Sequence, residues 1–118
     1  MGLNMVHAQD NGEVWFEQAN AAYNSGNYDT AVSLYEKILA TDMESVPVYY
    51  NMGNAYYKKH DYPMAIYYYE KALKLDPSNK DVKTNLAIAN LAIVDKVDPM
   101  PQPFFVRWWR STRALFSR

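Results

Sequence analysis

Apolar residues recur along the chain at helical spacing, at i, i+3, i+4 and i+7, rather than at alternate positions. We therefore predict an all-α protein. Asp10 and Glu13 are spaced as a capping box and predict the start of the first helix. Gly26 predicts its end, because glycine takes the left-handed C-terminal conformation freely. The stripes of the first two helices are Trp15, Ala19, Ala22 and Tyr23, then Ala31, Leu34, Tyr35, Ile38 and Leu39.

The same pattern occurs a second time along the chain. Residues 15–43 align with residues 49–77, and ten of the 29 pairs are identical. The two copies are offset by 34 residues. A repeat of this period indicates stacked helix-turn-helix units. We therefore divide the chain into two repeats, at residues 12–45 and 46–79, and a helix at 80–97 that caps the solenoid. Ser78 and Asp81 are spaced as a capping box and predict the start of this last helix. A proline-rich spacer follows at 98–103, and an amphipathic segment at 104–118.

The second unit resembles the tetratricopeptide repeat family, through Tyr50-Asn-Met-Gly-Asn-Ala-Tyr-Tyr57 and Ala65-Ile-Tyr-Tyr-Tyr-Glu-Lys-Ala-Leu-Lys-Leu-Asp-Pro77. The resemblance covers residues 12–97 and is weaker in the first unit. It implies a right-handed α-solenoid of two helix-turn-helix repeats plus a capping helix, with a C-terminal amphipathic helix. Non-catalytic protein binding is the function that it implies.

In that family, one face of each first helix lines a concave groove that binds peptides. On this chain the groove positions are Phe16, Asn20, Tyr23 and Asn24 in the first unit, and Tyr50, Asn54, Tyr57 and Lys58 in the second. The alternative is that tyrosine is only a packing residue at these positions. The recurring amides favour the groove, because packing of an apolar core gives no reason for them. A carboxylate-gripping groove of the chaperone-tail type is disfavoured, because Phe16, Thr84 and Asn85 stand where basic residues are expected.

Composition narrows the function further. The chain of 118 residues has no cysteine, a net charge of −1 and no apolar run long enough to span a membrane. It contains no glycine-rich phosphate loop and no catalytic metal motif, so we expect no enzyme activity, no cofactor and no metal. A helical-repeat RNA binder is an alternative, but the acidic repeats argue against nucleic acid. Stackable solenoid ends leave a homo-oligomer as a second alternative.

The last segment differs in charge from the rest. Residues 1–103 carry a net charge of −5, whereas residues 104–118 carry +4 and contain no acidic residue. On a helical wheel its aromatic residues face away from its arginines, which is typical of a membrane-surface helix. The alternative is a helix that packs on the solenoid end, with Trp108 and Trp109 as core residues. The predicted membrane-interface residues are Phe104, Phe105, Arg107, Trp108, Trp109, Arg110, Arg113 and Phe116.

A narrower resemblance lies in the ends of the chain. The segments Ile93–Pro99 and Pro103–Phe116 are similar to the tetratricopeptide protein of the Bacteroides aerotolerance (Bat) operon, and the chain is in this sense BatE-like. Residues 1–11 resemble the remnant of a secretory signal, with Ala8 before the cleavage point, unless they derive from cloning. The resemblance implies a periplasmic location at the inner membrane and other Bat-operon proteins as partners.

Overall fold

Five α-helices follow one another along the chain in the computed structural model, which describes residues 3–96, with side chains from residue 11 to residue 94. They are α1 (Leu3–Asn24), α2 (Tyr28–Leu39), α3 (Val46–Lys58), α4 (Tyr62–Leu75) and α5 (Lys80–Lys96). No strand occurs in this part of the chain. The predicted all-α class is therefore confirmed, and the predictions for residues 98–103 and 104–118 lie outside the described residues.

Two of the predicted helix starts are wrong. Helix α1 begins at Leu3, so Asp10 lies inside the helix and does not cap it. Helix α5 is capped by Asn79 rather than by Ser78, because the Asn79 side-chain oxygen accepts a hydrogen bond from the Val82 amide at 3.1 Å. Asparagine is as good an N-cap as serine, and its position one residue later sets the start of the helix.

The turn inside each repeat has the same backbone conformation. Gly26 and His60, which occupy equivalent positions in the two repeats, both have positive φ, at 83° and 64°. Around each of them the amides of the two residues that end the turn bond back to helix carbonyls, as Asn27 bonds to Ala22 at 2.8 Å. This is the Schellman arrangement that ends a helix. The prediction that Gly26 ends the first helix is confirmed, and His60 takes the equivalent position as a helix-end residue.

The helices pack in chain order, α1 on α2, α2 on α3, α3 on α4 and α4 on α5. Small residues allow close approach: Ala19, Ala31, Ala55, Ala65 and Ala72 are fully buried. Gly53 faces the ring of Tyr69, whose Cζ would lie 3.0 Å from a Cβ at that position. Larger core positions are filled by Tyr35, Ile38, Met52, Tyr69 and Val82. The result is a solenoid of two helical hairpins plus the single helix α5.

Candidate binding groove

A ladder of hydrogen bonds joins the repeats behind the concave face. The Asn20 side-chain oxygen accepts from the hydroxyl of Tyr35 and, at 3.1 Å, from the Asn51 amide. One repeat later, the Asn54 oxygen accepts from the Tyr69 hydroxyl at 2.5 Å and from the Asn85 amide at 2.9 Å. Each asparagine thus binds the second helix of its own unit and the first helix of the next.

These bonds give the recurring amides a structural role, which the sequence interpretation did not foresee. The side chains of Tyr35 and Tyr69 are 1% exposed. A buried hydroxyl without a partner would cost about 1–3 kcal/mol. The argument that packing gives no reason for Asn20 and Asn54 is therefore wrong, because each amide satisfies a buried tyrosine. Their contact with a partner stays a prediction.

Burial also fixes the protonation of the two tyrosines. Loss of solvent raises the pKa of Tyr35 to about 12, because the phenolate would be poorly hydrated. Burial raises the pKa of Tyr69 as well, and the neighbouring Tyr50 adds to the increase. Both hydroxyls are therefore protonated donors throughout the physiological pH range.

The aromatic groove positions make the same ring contacts in both units. Phe16 lies 6.1 Å from Tyr35, and Tyr50 lies 6.1 Å from Tyr69, as measured between ring centroids. Nearer the turn, Tyr23 meets Tyr28 at 5.4 Å, and Tyr57 meets Tyr62 at 5.3 Å. All four groove rings are half-buried. Each therefore packs on the second helix of its unit and keeps part of its surface in solvent.

An open pocket of about 220 Å³ lies where the second unit meets α5. Its walls are Tyr23, Asn54, Tyr57, Lys58, Tyr69, Asn85 and Ile88. Rings, amides and one aliphatic side chain suit a ligand that has both apolar surface and hydrogen-bonding groups. Lys58 is the single cationic side chain among the lining residues, so the electrostatic preference of the pocket rests on it.

The pocket contains four of the eight predicted groove residues, namely Tyr23, Asn54, Tyr57 and Lys58. The other four, Phe16, Asn20, Asn24 and Tyr50, do not line it. Asn24 is exposed on α1, and Tyr50 accepts a hydrogen bond from the Asn85 amide at 3.0 Å. The predicted groove therefore extends beyond this pocket. The binding role of all eight residues stays a prediction.

Asn51, Asn85 and Ile88 belong to this region but are not among the eight predicted binding residues, and Asn85 entered the sequence interpretation only as a groove position without a basic side chain. A signal was present for the first two, because Asn51 and Asn85 are themselves separated by one repeat period. Ile88 stands where Asn20 and Asn54 stand in the earlier units. Within the described residues, α5 has no second helix after it and no buried hydroxyl at that position to satisfy.

The described residues contain no group of three or more histidines and acids arranged to hold a metal ion. None of their helices is both long and apolar enough to cross a membrane. The predicted membrane-interface residues, from Phe104 to Phe116, lie outside the described part of the chain.

The tetratricopeptide repeat family matches twice, at residues 12–45 and 46–79, which together are more than half of the chain. A search of curated proteins finds no match. Among solved structures, the chain is similar to the first tetratricopeptide domain of Spaghetti (RPAP3) bound to the HSP90 peptide SRMEEVD. The two are 19% identical, the match covers 92% of this chain and 98% of the other, and the TM-score is 0.67.

The two family matches begin and end at the repeat boundaries that the period of the sequence predicts, and the structural likeness supports the same fold. The chain therefore belongs to the tetratricopeptide repeat family.

Proposed function

We propose that this protein binds an extended segment of a partner protein along its concave face, with one side chain of that segment in the pocket beside α5. The observation that carries the proposal is the pocket itself, which joins two repeats and α5 and leaves Tyr23, Tyr57 and Lys58 open to solvent on one surface. Aromatic residues dominate the binding energy of protein interfaces, since they offer large rigid contact areas.

The chemistry of the pocket indicates the kind of segment. The similar domain of Spaghetti was solved with the acidic peptide SRMEEVD, which supports a peptide as the ligand class. This chain has Phe16, Thr84 and Asn85 instead of a set of basic residues in the groove. We infer that the segment is internal rather than a free C-terminus. It offers an aromatic or aliphatic side chain to the tyrosines and at most one acidic side chain to Lys58.

Selection of short peptides from a random display library on the full chain tests this proposal. The variant Tyr57→Ala is expected to bind the selected peptides about tenfold more weakly or worse, because it removes one wall of the pocket. Tyr67→Ala is the matched control: Tyr67 is 47% exposed on α4 and does not line the pocket. Lys58→Glu is expected to reverse any preference for acidic peptides.

Equal binding by Tyr57→Ala and the wild type would contradict the groove proposal, provided that both unfold at similar temperatures. A single-stranded RNA oligonucleotide at low salt is the counter-test. Binding to RNA that Lys58→Glu abolishes would favour the RNA-binding alternative instead.

We also propose that the protein works in an exported, membrane-associated complex of the aerotolerance type, on the periplasmic side of the inner membrane. The support comes from sequence: the Bat-like segments at 93–99 and 103–116, and four arginines without acids after residue 103. Other Bat-operon proteins are then the candidate partners. The aromatic residues from Phe104 to Phe116 would lie in the lipid interface, with the arginines at the head groups.

Cosedimentation with vesicles tests the membrane part. The chain is expected to bind vesicles in which about one third of the lipid is anionic more tightly than neutral vesicles. The reason is that each arginine contributes about 1 kcal/mol near an anionic surface. Replacing Arg107, Arg110 and Arg113 by glutamine should remove most of the difference at low salt. No binding at any lipid ratio would refute the membrane proposal and leave the groove proposal intact.

A further inference from the structure

In the described part of the chain, no helix covers the face of α5 that corresponds to the α4-facing side of α3. In the second unit, α4 contacts Gly53, Asn54 and Tyr57 on that side of α3, and of these Gly53 is buried while the other two are half-buried. The residues one repeat period later, on α5, are Ala87, Ile88 and Leu91, and all three are exposed. Ile88 is 44% exposed, Leu91 66% and Val94 40%.

The composition and spacing of the residues on this face are typical of a surface that packs against another helix. Thr84, Ala87, Leu91 and Val94 lie three and four residues apart, which is the spacing of a helix–helix seam. Capping helices of solenoids usually carry polar residues on their outer face. Helix α5 packs on α4, and Val82 and Ala89, on the opposite side of α5, are fully buried. The exposed apolar face around Leu91 is therefore separate from the buried side of α5, and we expect another segment to cover it.

We propose that residues 104–116 of the same chain cover this face of α5 when no membrane is present. Seven residues, 97–103, connect them to α5. A proline-rich connection extends about 3.1 Å per residue, or roughly 20 Å here. Leu91 lies five residues before the end of α5, about 8 Å along the axis. The connection is therefore long enough for the segment to return to Leu91.

Composition and proximity favour this occupant over others. The segment supplies aromatic side chains to an aliphatic face, and the net charge of +4 of residues 104–118, which contain it, complements the −5 of residues 1–103. A short linker also keeps the segment at an effective concentration in the millimolar range. A second copy of the chain at micromolar concentration cannot match that value.

The proposal rests on the membrane role proposed above and extends it to a switch. The same aromatic side chains either cover α5 or enter the lipid interface, so the two states exclude each other. Weakening the α5 face then strengthens membrane binding, because fewer molecules hold the segment in the docked state. Lipid binding in turn uncovers Ile88, which also lines the pocket of the groove.

Tryptophan emission tests the proposal in the full chain with Trp15→Phe, so that Trp108 and Trp109 are the reporters. In buffer their emission is expected to be blue-shifted, and Leu91→Asp should move it to the wavelength of the unfolded chain. The control Val14→Asp introduces the same charge on α1, where Val14 is 46% exposed, and should leave the emission unchanged. Leu91→Asp should also raise the affinity for anionic vesicles, by about tenfold if nine-tenths of the molecules are docked.

Emission of solvent-exposed tryptophan in buffer, unaffected by Leu91→Asp, would overturn the proposal. So would a dimeric mass in sedimentation equilibrium that Leu91→Asp reduces to a monomer, since a second copy would then be the occupant. A failure to bind vesicles is a different result. It would refute the membrane role, whereas the emission in buffer would still decide whether the segment docks on α5.

Discussion

At the scale of single residues, Asn20 and Asn54 show how one side chain serves two helices at once. Each amide oxygen accepts from a buried tyrosine hydroxyl in its own unit and from an asparagine in the next unit. In the described part of the chain, no buried side-chain nitrogen or oxygen lacks a partner. The recurrence of both amides was visible in the sequence. Its cause was not, because the tyrosine that each amide satisfies lies on another helix, far outside any local sequence pattern.

The variant Asn54→Ala is expected to lower the free energy of unfolding by about 1–3 kcal/mol, because the buried Tyr69 hydroxyl loses its acceptor. Asn24→Ala, at an exposed position of α1, is the control and should change it by less than about 0.5 kcal/mol. Urea unfolding followed by circular dichroism measures both. In the background Tyr69→Phe, Asn54→Ala should cost less. An equal cost in both backgrounds would mean that the hydrogen bond is not what Asn54 contributes.

At the scale of helices, the packing distance within a repeat is set by its smallest residue. Gly53 on α3 lies under the ring of Tyr69 on α4, and the equivalent residue of the first unit is Ala19. Small residues at both positions let the paired helices approach closely. The sequence alone did not predict that the second pair packs more tightly on the ring than an alanine permits.

Two Gly→Ala substitutions separate close packing from helix propensity. Gly53→Ala is expected to destabilise the protein by about 1–3 kcal/mol, because its Cβ would overlap the ring of Tyr69. Gly12→Ala is expected to stabilise it by about 0.5–1 kcal/mol, because Gly12 lies within α1 with open space around its Cβ position. Thermal unfolding of the two variants provides the comparison. A stabilised Gly53→Ala would contradict the close contact between α3 and α4.

At the scale of the whole molecule, the sequence determined the class, the period and the family. Apolar stripes with a helical period, repeated in a second copy at a fixed offset, leave only stacked helical hairpins as a fold. Turn positions such as Gly26 were predictable for the same reason, since local backbone conformation depends on adjacent residues. Helix starts were less predictable. Asn79 and Ser78 are both good N-caps, and only Asn79 caps α5. Helix α1 begins before the capping sequence at Asp10 and runs through it.

Contacts between units were decided only by the tertiary structure. The pocket takes Ile88 and Asn85 from α5 and Tyr57 and Lys58 from α3, and no local pattern joins those helices. The exposed face around Leu91 is likewise a property of what lies beside α5, because the sequence of α5 alone does not distinguish a face that is buried from one that is left open. Periodicity records which residues share a face of one helix, whereas the position of the neighbouring helix decides what that face binds.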